Sequence, residues 1–355
     1  MTDLVADTAG LLDPSAPPED QLQQPFTPVA PGLALDFAEV HRRYPALAEF
    51  HASLGNTTLR EVPSVAGGAR ILAKCEWENP VGSIKDRTAY ALIADALRAH
   101  GDRPPAELKL VAYSGGDLSA AMSLIGMRVG ITTRFVLASY APRSLLDMLE
   151  SRGSQVDLVA KERGFLHTIR TAQRIAADEP GWTIVFQHAN PVNVAIHEQM
   201  TGGEILAQLG DRRPVLWLAS IGSGGTLVGV LRALRGRYPE IQAVGVTPEE
   251  SPYANPDAPS GRSTYEGSGG HGYGIRQPFV KAHERLIHQH RQVALQPALA
   301  AMGEFFDLTG IRIGSSAAAN WLIAKEYAAQ LPADSWIVTV FACAGTPEQW
   351  VELGR

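Results

Sequence analysis

Three times in this 355-residue chain a short apolar segment runs into a turn of small residues and then into a helix-forming stretch. Ile71 to Glu76 precedes Asn79-Pro80-Val81-Gly82-Ser83. A helical stripe of Ala89, Leu92, Ile93, Ala96 and Leu97 follows, and Gly101 stops it. Leu108 to Ala112 feeds Tyr113-Ser114-Gly115-Gly116-Asp117. Val215 to Ala219 feeds Gly222-Ser223-Gly224-Gly225-Thr226, before a helix that opens near Leu227. Phe135 to Ala138 as strand and Ser144 to Ser151 as helix continue the alternation. Strands alternating with amphipathic helices predict an α/β fold with a parallel sheet and helices on both faces.

Composition narrows the choice. At 45% hydrophobic the chain can bury a large core, expected in two lobes. A net charge of −6, from 31 basic and 37 acidic residues without a basic block, argues against nucleic acid and anionic membranes as partners. No apolar run approaches the roughly 18 residues of a membrane span, so a cytoplasmic protein is expected. Cys75 and Cys343 are too few for a disulfide framework and lack metal-ligand spacing. His283, His288 and His290 lack the pairing with an acid that a zinc helix shows, and no metal site is expected. Residues 1–32, rich in Pro, Ala, Asp and Gln, read as a flexible N-terminal arm. The Gly- and Ser-rich stretch from Pro256 to Gly274 reads as a mobile loop at the mouth of a site.

Two motifs carry chemistry. Lys85, in Ser83-Ile84-Lys85-Asp86-Arg87, follows a strand and opens a helix, a position suited to forming a Schiff base. Gly222-Ser223-Gly224-Gly225-Thr226 stands between a strand and a helix, where backbone N–H groups converge on an anion. An amine anchor and a distant phosphate cradle together point to pyridoxal 5'-phosphate.

Read with its neighbours, the chain resembles the fold-type II pyridoxal-phosphate enzymes, in the cysteine synthase and cystathionine β-synthase branch. Gly55-Asn56-Thr57-Thr58-Leu59 is similar to the family's opening Gly-Asn-Thr-Pro-Leu, and Asn79 to Arg87 to its cofactor-lysine segment. Asn190-Pro191-Val192-Asn193, His197, Thr201-Gly202 and Glu204-Ile205 are similar to its mid-chain signature. The resemblance runs from about Gly55 to about Asn320. It implies two lobes, each with a largely parallel sheet: 33–74 with 190–355 as the larger, cofactor-binding lobe, and 75–189 as the smaller, mobile, substrate-binding lobe.

The resemblance also implies roles. Lys85 would hold the cofactor and act as base at the substrate's Cα; Gly222, Ser223, Gly224, Gly225 and Thr226 would bind its phosphate. Ser316 would bond the pyridine nitrogen if the register is taken from Gly310, and Ser315 if it is taken from the serine pair. Ser114 and Gly115 would receive the α-carboxylate, and Gln187 could contact it; Gly272 lies in the glycine-rich loop near the substrate. Arg276, just after that loop, would suit the phosphate of O-phosphoserine. Departures from the family pattern stand at Tyr113 for Thr and His188 for Phe. Gly116 replaces the Asn that bonds the cofactor's 3'-oxygen, with Asp117 next to it. The implied activity is β-replacement on O-acetyl- or O-phospho-L-serine through α-aminoacrylate, by a homodimer acting on an amino acid and a small nucleophile. A serine/threonine-type lyase and a catalytically weak binding homologue are the alternatives.

Overall fold

The computed structural model describes residues 32–254, 264 and 276–355. The N-terminal arm and nearly all of the glycine-rich loop, including Gly272, therefore lie outside the described residues. In chain order the strands are β1 (Leu59–Val62), β2 (Arg70–Cys75), β3 (Lys109–Tyr113), β4 (Thr132–Ala138) and β5 (Gln155–Val159). There follow β6 (Trp182–Ile184), β7 (Pro214–Ser220), β8 (Gln242–Pro248), β9 (Gln289–Val293) and β10 (Trp336–Phe341). They form a 6-stranded sheet, ordered β1-β2-β10-β7-β8-β9, and a 4-stranded sheet, ordered β5-β4-β3-β6. Every pairing is parallel except β1 with β2. The α/β architecture is as the alternation of strand and helix predicts, and the two largely parallel sheets are as the resemblance implies.

Both faces of each sheet are apolar because helices cover both. Along β7, Leu216 and Leu218 pack with Phe305 and Trp321, on the side of helices Leu295–Thr309 and Ser315–Ala328. The alternate residues Trp217 and Ala219 pack with Leu227 and Leu231 of helix Gly225–Arg237 on the other. In the smaller sheet Leu110 and Phe135 face one core, while Val111 and Val136 face Ile169 of helix Gly164–Asp178. Among the described residues no helix is long and apolar enough to cross a membrane.

Parallel sheets open their ligand crevice beyond the carboxyl ends of the strands. There the chain leaves β3 for Ser114 to Asp117, β7 for Gly222 to Thr226, and β10 for Ala342 and Cys343. The turn before Lys85 is stitched to the last of these. Ile84 N–H donates to the Ala342 carbonyl at 2.8 Å, and Ser83 pairs with Cys343 in an isolated bridge.

Beneath that crevice lies a buried ionic cluster. The fully buried Arg87 guanidinium donates to Glu76 (2.7 and 2.9 Å) and to Glu204 (2.6 and 2.9 Å). Lys74 Nζ, also fully buried, lies 2.7 Å from Glu204 Oε2 and donates to the Thr57 carbonyl at 2.5 Å. Asn79 Nδ2 donates to Glu76 Oε2 at 2.8 Å, and its Oδ1 accepts from Gly55 N–H at 3.1 Å. Two cations thus face two carboxylates. Burial would raise the Glu204 carboxyl, but Arg87 and Lys74 outweigh it and hold the group below its usual 4.5. Its stabilising contribution is therefore complete above the unfolded value and fades as pH falls through the lower, folded one.

Removing one partner of a buried pair strands the other's charge and typically costs about 3–5 kcal/mol. Glu204→Gln is expected to lower stability by that order at neutral pH, read as a shift in the denaturant midpoint. The deficit should shrink in acid, where the wild-type carboxylate is itself lost.

Candidate active site

Lys85 is the first residue of helix Lys85–His100, and its backbone N–H donates to Ser83 Oγ at 3.1 Å. Its amine reaches Gln187 Oε1 at 3.4 Å. Burial lowers the amine from 10.5 to about 8, a shift the Asp117 carboxyl opposes. A lysine so placed is neutral in roughly one molecule in ten at pH 7, far more often than an ordinary lysine, as a nucleophile or base requires.

Lys85, Asp117, Ser223, Gly224, Thr226 and Ser316 line one pocket, with Gly222 beside them. Gly225 opens helix Gly225–Arg237, whose first backbone N–H groups are without carbonyl partners inside the helix. The two central glycines of the loop are dictated locally. Gly224 has φ +87°, and a Cβ there would stand 2.5 Å from Val280 Cγ2. A Cβ on Gly225 would stand 2.5 Å from Asn193 Oδ1. The intolerance of this loop thus comes from backbone conformation and from neighbours packed behind it.

Asn193 and His197 join this loop to the lysine helix. Asn193 Nδ2 donates to Ser223 Oγ at 2.9 Å and to the Gln187 carbonyl at 2.7 Å, while Oδ1 accepts from Thr88 Oγ1 at 3.2 Å. His197 Nε2 lies 3.1 Å from Thr88 Oγ1 and 3.3 Å from Thr226 Oγ1, with Nδ1 3.0 Å from Thr201 Oγ1. Burial, with the charges of Arg87 and Lys85 adding to it, holds the imidazole neutral, well below its usual pKa. His197 opens a π-helical turn, His197–Gly202, of the kind often found at functional sites.

The two serines of the register question differ sharply. Ser315 Oγ accepts from Gln349 Nε2 at 3.0 Å. Ser316 Oγ, in the pocket lining, is buried without a hydrogen-bond partner. A buried hydroxyl of this kind calls for a ligand atom. An amine, a hydroxyl needing a partner and an anion cradle in one pocket match the aldehyde, ring nitrogen and phosphate of pyridoxal phosphate, so the donor set fits that group.

On the other wall, Ser114 Oγ accepts from the N–H groups of Gly116 (3.0 Å) and Ser119 (3.2 Å), capping helix Asp117–Val129. Gly115 is exposed between them. Gly116 has φ +147°, and a Cβ there would meet nothing closer than Leu145 Cδ2 at 3.9 Å. Conformation rather than space selects glycine. Gln187 Nε2 donates to the Tyr113 carbonyl at 3.3 Å, tying this wall to Lys85. The departures at Tyr113 and His188 are one feature: both are fully buried, their rings stack, and Tyr113 OH lies 2.7 Å from His188 Nδ1.

Arg276 is not among the pocket-lining residues. Its Nε lies 3.4 Å from Glu284 Oε1, which also accepts from Tyr253 OH at 2.7 Å. Glu284 thus forms a partly exposed ion pair with Arg276 outside the pocket lining. Conversely, the pocket takes in Cys343, which nothing in the sequence singles out, and Asn320, which accepts from Ser220 Oγ at 2.8 Å.

Comparison with known proteins agrees with this geometry. Residues 52–342 match the family model described as pyridoxal-phosphate dependent enzyme. The cysteine synthase of Staphylococcus aureus (strain Mu50 / ATCC 700699) is 27% identical over 294 residues, covering 82% of this chain and 92% of that one. The crystal structure of an O-acetylserine-dependent cystathionine β-synthase from Helicobacter pylori superposes with a TM-score of 0.76 at 24% identity. It covers 85% of this chain and 96% of that one. O-acetylserine sulfhydrylase isoform 3 from Entamoeba histolytica gives a TM-score of 0.74 at 21% identity, with 92% and 93% covered. Likeness at these identities shows the shared fold.

Gly224→Val would force a branched residue into a left-handed conformation and against Val280. The variant should purify with most of its cofactor absorbance missing, checked against total protein. Full cofactor content would show that the loop has another role.

Proposed function

The chain belongs to the pyridoxal-phosphate-dependent enzyme family, and on that premise we propose that it catalyses β-replacement on an O-activated L-serine, O-acetyl- or O-phospho-L-serine, giving cysteine or another β-substituted alanine. The observation that carries the reading is the single pocket that gathers the Lys85 amine, the Gly222–Thr226 loop and the unpartnered Ser316 hydroxyl. The cysteine synthase of S. aureus supports the choice of reaction.

Lys85 holds the cofactor covalently, Gly222 to Thr226 hold its phosphate and Ser316 meets its ring nitrogen. Bound pyridoxal phosphate supplies an attachment for the substrate's amine and a conjugated sink that acidifies Cα–H. The Lys85 amine would be the base for the α-proton, and its lowered basicity suits it to that role. Ser316 matters because of what it is not. A hydroxyl, unlike a carboxylate, would not favour a protonated ring nitrogen, which suits loss of a group from the β-carbon. The Ser114 hydroxyl, the Gly115 backbone amide and the start of helix Asp117–Val129 would receive the α-carboxylate, with Gln187, which bonds Lys85, beside it. In this reading residues 75–189 are the substrate-facing lobe and the protein works as a homodimer. The ion pair between Arg276 and Glu284 gives no support to a preference for O-phosphoserine over O-acetylserine.

Incubation with O-acetylserine or O-phosphoserine and a panel of nucleophiles, beginning with sulfide, should yield β-substituted alanines by mass spectrometry. Production of pyruvate alone, whatever the nucleophile, would replace this reading with a lyase. Ser316→Asp should slow the reaction by about tenfold or more, the scale of a charged hydrogen bond worth ~1.5–3 kcal/mol. Ser315→Ala should have far less effect.

A further inference from the structure

Among the described residues lining the pocket, Lys85 and Asp117 are the two with charged side chains. Neither the cofactor's anchors nor the carboxylate-binding groups need a carboxyl group at this position. Asp117 opens helix Asp117–Val129 and faces three titratable groups. Lys85 comes from the facing helix, Cys343 hydrogen-bonds it from beyond β10, and Asp86 has a buried carboxyl that feels its charge. Burial favours the neutral acid; Lys85 and the Cys343 hydrogen bond favour the anion. With cofactor and substrate held in this pocket, an ionised Asp117 would be a half-buried anion sharing it with a phosphate and a carboxylate. Such a group binds a proton instead.

We infer that Asp117 is a second catalytic acid of this site, protonating the oxygen that leaves the substrate's β-carbon. The inference rests on the β-replacement reading and widens it. Acetate leaves as a stable anion and needs no acid, whereas hydroxide does. The step balances. The Cα–H bond breaks and its proton goes to the Lys85 amine, while the bonding pair forms the Cα–Cβ double bond. The Cβ–O pair departs on oxygen, which takes the Asp117 proton. What remains is an Asp117 carboxylate facing a Lys85 ammonium, so the charges created in the pocket offset each other. The enzyme therefore accepts a β-oxygen more basic than acetate, with unactivated L-serine as the simplest case.

The test compares O-acetylserine with L-serine in the wild-type holoenzyme and in Asp117→Asn and Asp117→Glu, scoring pyruvate and substituted alanine together. Asp117→Asn should lose about a hundredfold more turnover on serine than on O-acetylserine, the scale of a lost general acid. Asp117→Glu should recover part of that difference. Equal losses on both donors, or no serine turnover by the wild type, would overturn the acid role; absence of O-acetylserine turnover in the wild type would instead sink the β-replacement reading. A second readout needs no turnover. The visible band of the resting holoenzyme is titrated with pH. If Asp117 is neutral beside the cofactor, Asn should move the midpoint by no more than about 0.3. A fall of about one unit or more would show that Asp117 is ionised there and contradict the proposal.

Discussion

The position of Lys85 depends on Arg87. Two residues along a helix turn the side chain by about 200°, so a lysine facing the crevice puts Arg87 on the opposite, buried side of the same turn. A guanidinium with no exposed surface is tolerable only if its charge and its donors are met, and Glu76 and Glu204 meet them from either side. Those carboxylates come from just after β2 and from helix Gly203–Leu209, and Lys74 completes the cluster. Glu204, 117 positions beyond Arg87, must converge with the stretch from Lys74 to Arg87 for these charges to be buried and met. Their convergence fixes the turn on which the lysine stands.

A second constraint links the lysine to the loop across the crevice. Thr88, one residue beyond Arg87, meets both Asn193 and His197, and those two hold Ser223 and Thr226. A covalent anchor and an anion cradle serve one small cofactor only if their separation is set. Here it is set by two buried side chains whose hydrogen bonds reach both. A neutral His197 suits this task, because an imidazolium would add a cation beside Arg87 and Lys85. The site is thus positioned by groups that have no evident chemistry of their own.

Much of this was legible in the sequence where the signal is local. The strand-turn-helix alternation pointed to parallel sheet covered by helices, and the resemblance to its division between two lobes. Lys85 and the Gly222–Thr226 loop lie in short motifs whose composition reflects backbone demands, and the two fall in one pocket. Contacts between distant positions left no such trace. Tyr113 and His188 read as separate departures, yet they are one hydrogen-bonded, stacked pair across 75 positions. The register from Gly310 pointed to Ser316 and the serine pair alone to Ser315; Gln349, from the short helix Pro347–Glu352, distinguishes them by engaging Ser315. Arg276 looked available because the partner that neutralises it, Glu284, lies beyond the next helix. Cys343 carries no motif, and only the end of β10 brings it to Asp117.

The central claim is that the amine of Lys85, set by the cluster beneath it, carries the cofactor. Borohydride reduction of the holoenzyme, proteolysis and peptide mass mapping test this most directly. The account predicts the reduced pyridoxyl-phosphate mass on the peptide containing Ser83-Ile84-Lys85-Asp86-Arg87, in near-stoichiometric amount. Label on Lys74 or any other lysine, with the Lys85 peptide unmodified, would contradict it.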